Sequence, residues 1–164
     1  MNWAYLHLMI NHFPIIGVII GTMLLVAGMV YKTNGVILSG LGTVVFAALS
    51  AILAYLTGDP AEHAVKGIAE VHQSLISLHE NIATVAMYLL VPAGLMAIVT
   101  FYSIVKKVKT VHFLVVITLV LSVISSAAMV YTGRTGGHIR HSEFRNDSVE
   151  KYMFEHQNDT IDED

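Results

Sequence analysis

The chain contains no cysteine, which excludes disulfides, thiolate-held iron–sulfur clusters and covalent c-type haem. Any haem here is held non-covalently, by histidine or methionine. Charge is sparse as well. Only 13% of the 164 residues are Asp, Glu, Lys or Arg, and none falls within residues 13–31, 35–58, 81–105 or 110–133. Uninterrupted apolar runs of that length do not suit the core of a soluble domain. No Lys or Arg precedes Lys32, so the basic start of a secretory signal peptide is missing, and the first apolar run is expected to remain in the mature protein.

What is present is 55% hydrophobic residues and a mean hydropathy of +0.66. A helix needs roughly 20 apolar residues to cross about 30 Å of hydrocarbon, and each of the four runs reaches that length. The fold class expected is all-α: an integral membrane four-helix bundle, residues 1–141, with both termini on one side. Residues 142–164 read as an acidic, polar tail, mobile in isolation. Trp3 and Tyr5 suit a headgroup-level lead-in, and Pro14 suits the first turn of span one. Pro92 falls in the middle of span three. Gly17 and Gly21 have the spacing of close helix packing. Lys32-Thr33-Asn34-Gly35 reads as a tight turn and Thr57-Gly58-Asp59-Pro60 as a helix stop. Between spans two and three, Val65, Ile68, His72, Leu75, Ile76 and His79 recur at spacings of three and four. That stripe predicts an amphipathic connecting helix with Lys66, Glu70, Gln73 and Ser77 off its apolar face. Beyond Tyr131, Thr132-Gly133-Arg134-Thr135-Gly136-Gly137 reads as the end of span four.

The acidic charges divide by side, while Lys66, Arg134, Arg140, Arg145 and Lys151 make the basic tally closer by lying with them. All twelve acidic residues belong to the side with the termini, whereas the two short turns opposite carry Lys32, Lys106, Lys107 and Lys109. Short lysine-bearing loops face the cytoplasm. The expected location is therefore a bacterial inner membrane with both termini in the periplasm. Membrane lipids are the expected partners, and no nucleic acid is expected.

His7, His12, His63, His72, His79, His138, His141 and His156 all fall toward the terminal side, leaving only His112 at the lysine side. Imidazole is a common ligand of metals and haem iron, so the clustering points to a cofactor. A weak repeat sets Thr57-Gly58 and His63 beside Thr132-Gly133 and His138, with His12 and His79 opening spans one and three. Two related hairpins would put His12 and His79 at one depth. These two are the first choice for haem axial ligands, since helix entrances facing across a bundle make a dry pocket. The plainer alternative is that each caps a helix or hydrogen-bonds at the interface. His72 lies on the stripe of His79. His7 with His141, or His72 with His138, are candidate pairs for a second haem. Arg134 and Arg140 suit haem propionates or, equally, lipid phosphates. Glu80 could orient a ligand imidazole, accept a quinol proton or stabilise a helix N-terminus.

The string His7-x-x-x-x-His12-Phe13-Pro14, the Thr-Gly closing span two, a histidine opening span three and the terminal Gly-Gly-x-Ile-Arg-His resemble an uncharacterised bacterial family of four-span membrane proteins. Some of its members look like small b-type cytochromes. The resemblance covers about residues 7–141 and implies one or two non-covalent b haems, with His7, His12, His79 and His141 carried over and His63, His72 and His138 less directly. The function expected is electron transfer between quinol or a partner redox subunit and an acceptor on the periplasmic side, such as a cytochrome c. Two other classes fit the same residues. One is a copper, zinc or iron site on His12, His72, His79, His141 and Glu80; the other is a structural subunit of a larger membrane complex.

Overall fold

A computed structural model describes residues 2–65, 68, 71–141, 143 and 145–156. Among these there are seven helices and no strands: α1 (Trp3–Ile10), α2 (His12–Val30), α3 (Asn34–Leu56), α4 (Gly58–Val65), α5 (Gln73–Val105), α6 (Val111–Arg140) and α7 (Asp147–Glu155). Four segments are long and apolar enough to cross a membrane: Trp3–Val30, Asn34–Leu56, Gln73–Val105 and Val111–Arg140. The chain is a multi-pass membrane protein built as a four-helix bundle.

Local chemistry sets the breaks. Pro14 has no N–H for the Ile10 carbonyl and crowds it, so the first span divides at Asn11 into α1 and α2. At the other end, α2 and α5 stop in the same way. Lys32 (φ 52°) and Lys107 (φ 54°) adopt the left-handed conformation. The next amides close the turns, with Thr33 N donating to Gly28 O (2.9 Å) and Val108 N to Ser103 O (3.0 Å). These are Schellman caps with lysine where glycine is usual. The expected turn at 32–35 therefore forms, but Lys32 takes the positive φ while Gly35 already belongs to α3.

Side by side, the helices make a ring: α2 on α3, α3 on α5, α5 on α6 and α6 on α2. Gly28 and Gly40 show why α2 and α3 approach so closely. A Cβ on Gly28 would lie 2.7 Å from Ile37 N, and one on Gly40 2.9 Å from Leu25 N. Gly17 and Gly21 also face α3, against Ala47 and Val44, so the spacing read as packing is packing. Val18, Leu25, Leu41, Val44 and Leu90 are fully buried in the core. α6 turns a face of hydroxyls inward, including Thr118, Ser122, Ser125, Thr132 and Thr135. Thr100 and Thr118 share a hydrogen bond of 2.8 Å between α5 and α6, and Thr22 and Ser126 one of 3.2 Å between α2 and α6. Large side chains such as Met23, Tyr88 and Phe113 point outward, as a bilayer solvent requires. Pro92 is on the outward side too, where α5 runs through it unbroken.

Three sequence expectations change. α6 does not end near Tyr131 but stays helical through Gly136-Gly137 to Arg140, because tertiary contacts outweigh glycine's modest helix penalty. Among the described residues the connection holds one helix, α4; α5 starts at Gln73 with His72 as its extended N-cap residue (ψ 126°). His72 and His79 therefore do not share one helical stripe, while Lys66 and Glu70 lie outside the described residues. The expected mobile tail contains α7, capped by the Asn146 side chain accepting from Val149 N at 3.2 Å and resting against α5. Residues 157–164 lie outside the described part.

Candidate cofactor site at the histidine end

Two histidines make the same constellation in the two halves of the bundle. His7 Nδ1 lies 3.1 Å from Ala54 O and 3.1 Å from Thr57 Oγ1. Thr57 Oγ1 itself donates to Ala54 O at 2.9 Å. In the other half His79 Nδ1 lies 3.2 Å from Thr135 Oγ1, with the Thr132 carbonyl near enough to act on the ring. Thr135 Oγ1 donates to Thr132 O at 2.9 Å. Each threonine hydroxyl thus spends its proton on the carbonyl three residues earlier. At His7 the Ala54 carbonyl can only accept, so Nδ1–H is the donor; the same tautomer at His79 lets Nδ1–H donate to Thr135 Oγ1, and in it each ring keeps its Nε2 lone pair as the basic site. A carbonyl and a hydroxyl held on the main chain set both tautomer and ring orientation, as outer partners of ligating histidines do.

The register explains the match. His7 and Thr57 are equidistant along the chain from Lys32, and His79 and Thr135 are equidistant from Lys107. Antiparallel hairpins hinged on those lysines bring each pair level. At 1.5 Å per residue both sites lie roughly 40 Å from the lysine turns, at the opposite end of the bundle. His79 is one turn further out than His7. Its ring packs against α6 at Gly136, where a Cβ would meet its Cε1 at 3.1 Å and Nδ1 at 3.3 Å. Gly136 is a bed for an imidazole, and no side chain would fit there without moving it. The two rings are also close enough to act on one another electrostatically.

The remaining candidates are placed differently. His12 is exposed and turns Nδ1 back to Leu8 O at 2.7 Å, so it is His7, not His12, that lies near His79. His72 and His63 are exposed. His141 is exposed and bonds Glu143 at 2.8 Å; the Glu143 carboxyl is held below the usual carboxylate range by its own backbone amide and by His141. His138 is buried in the last turn of α6, with Arg134 and Arg145 in its electrostatic neighbourhood. Arg134 and Arg140 are exposed. Arg145 caps the helix, donating to His138 O at 2.8 Å and Ile139 O at 3.1 Å. At the α4–α5 junction Glu80 is within hydrogen-bonding reach of Glu62, with Asp59 nearby, and Gln73 Nε2 donates to Glu62. Among the described residues no three His, Asp or Glu are arranged to hold a metal ion.

Thr57, Ala54, Thr135 and Gly136 were not among the candidates. The repeat in the sequence matches Thr57-Gly58 with Thr132-Gly133; the hydrogen bonds match it with Thr135-Gly136, one turn later. The signal that would have found them is the equal spacing about Lys32 and Lys107. For a haem, the donor set fits: two imidazoles from different helices, each hydrogen-bonded through Nδ1 with Nε2 left over, at the mouth of one bundle. No family model matches the sequence, and neither a curated protein nor a solved structure is detectably similar to it.

Proposed function

We propose that the protein is a small membrane cytochrome b whose haem is held by His7 and His79, and that it passes electrons at the outer face of a bacterial inner membrane. The observation that carries this reading is the matched pairing of each imidazole with a threonine of the facing helix, His7 with Thr57 and His79 with Thr135, at one end of a membrane bundle. Bound haem supplies reversible one-electron chemistry. The chain supplies the ligands through His7 and His79 and their orientation through Thr57, Ala54 O, Thr135 and Thr132 O.

The lysine turns support an orientation with the histidine end outside. The electron source on this reading is membrane quinol or a partner redox subunit, and the acceptor lies on the outer side. α7 carries Asp147, Glu150 and Glu155 exposed on its surface, which suits attraction of a basic soluble partner such as a cytochrome c, in a salt-sensitive manner.

The test is the reduced-minus-oxidised spectrum of the purified protein from haem-replete cells. A b-type α-band is expected, retained in His12→Ala, displaced in His7→Ala and lost in His79→Ala. A colourless wild-type preparation, or a band that only His12→Ala removes, would contradict the assignment.

A further inference from the structure

The two matched imidazoles rest on unequal supports. His79 belongs to α5, one helix of 33 residues that contributes Leu75, Ile76, Ala86 and Leu90 to the interior. Its ring is trapped on the Gly136 backbone of α6. His7 belongs to α1, which has eight residues and buries none of them. α1 packs mainly on α4, and α4 in turn buries only Ala61.

The joint between α1 and α2 lacks one helical hydrogen bond. Pro14 removes the amide that would tie Ile10 into α2, although Asn11 keeps a right-handed backbone (φ −63°, ψ −20°) and its N–H still donates to His7 O at 2.9 Å. The Asn11 Oδ1 is buried and has no hydrogen-bond partner among the described residues. A segment with few buried apolar contacts opens at a lower free energy than the bundle it leans on. The hydrogen bonds on His7 do not offset this, because they anchor one ring rather than the helix that carries it.

We propose that His79 is the fixed haem ligand and His7 the releasable one, so that movement of α1 with α4 makes the place of His7 available to a small neutral π-acceptor ligand of the carbon monoxide or nitric oxide class. This rests on the haem reading above. The two histidines then have separate duties: His79 retains the cofactor, and His7 competes with the incoming molecule. In such a competition the apparent affinity for the incomer is reduced by the fraction of time the site is open.

Two measurements on the full chain test this. In pigment-free protein reconstituted in lipid nanodiscs, amide hydrogen exchange is expected to be faster across residues 3–10 than across residues 76–86. In the dithionite-reduced, pigmented protein, carbon monoxide is expected to shift the Soret band of the wild type. His7→Ala should keep most of its pigment in a high-spin form and bind carbon monoxide faster than the wild type, by the inverse of the fraction of time the His7 place is open. His79→Ala should lose the pigment. Equal exchange in the two segments, absence of any carbon monoxide shift in pigmented wild type, or equal pigment loss in the two variants would overturn the proposal while leaving the haem assignment in place. A colourless wild type would sink the haem reading itself, and the proposal with it.

Discussion

The two hairpins of this bundle are built to one plan and finished differently. Each hinges on a lysine held at positive φ, and each returns to set an imidazole against a threonine whose hydroxyl is already committed to the carbonyl three residues back. In the second hairpin both helices run on without interruption: α5 begins at Gln73 and α6 ends at Arg140. In the first, α3 stops at Leu56 and its partner divides at Asn11 into α1 and α2. The lesson is that hydrogen-bond geometry at a site and mechanical support for it are separate properties. The chain duplicates the former and not the latter.

The sharpest way to break the comparison is at the glycine that follows each threonine. A Cβ on Gly136 meets the His79 ring, whereas one on Gly58 meets nothing within 4 Å. Gly136→Leu is expected to lower pigment per protein at least as much as loss of an outer-shell partner, about 10- to 100-fold. Gly58→Leu should leave it near the wild-type value. Absorbance ratio at the Soret and protein bands measures both, and equal losses would show that the two sites are supported alike.

A smaller effect is expected from the threonines. Thr57→Val and Thr135→Val each remove one acceptor from an imidazole N–H, at a cost of about 1 kcal/mol, and each should displace the reduction midpoint of the pigment. If the constellations are equivalent, the two shifts have the same sign. Opposite signs, in a redox titration of the two variants, would show that the rings are not held in the same tautomer.

The smallest effect tests the shared plan at the far end. Lys32 and Lys107 hold φ values of 52° and 54°, where a side chain costs roughly 1–2 kcal/mol relative to the right-handed form. Lys32→Gly and Lys107→Gly are each expected to raise stability by about 1 kcal/mol in thermal unfolding, with the haem spectrum unchanged. Destabilisation by either would mean that the lysine charge matters more to that turn than its backbone does.

Much of this architecture is legible in the sequence, because a bilayer imposes a coarse rule: uncharged runs of sufficient length become spans, and the lysines between them become turns. The site is less legible. His7 and His12 both precede span one, and five residues of helix point them in different directions. Which one faces the bundle depends on a break at Asn11 that Pro14 causes from three positions away. The end of span four misleads for a similar reason. Gly133, Gly136 and Gly137 read locally as a stop, yet Thr132 and Thr135 are buried and Gly136 receives a histidine ring. Packing against the extension of α5 keeps those glycines helical, and nothing local to the segment announces it. His72 was misplaced by periodicity alone, since spacings of three and four continue across a position where the backbone is extended.

Everything functional turns on whether His7 and His79 converge on a porphyrin. The direct measurement is a pyridine haemochrome assay with protein quantitation on the purified full chain from haem-replete cells. Non-covalent haem b in stoichiometric amount, absent from His79→Ala, is the result the account predicts. A preparation that folds and purifies as wild type yet contains no extractable haem would contradict it.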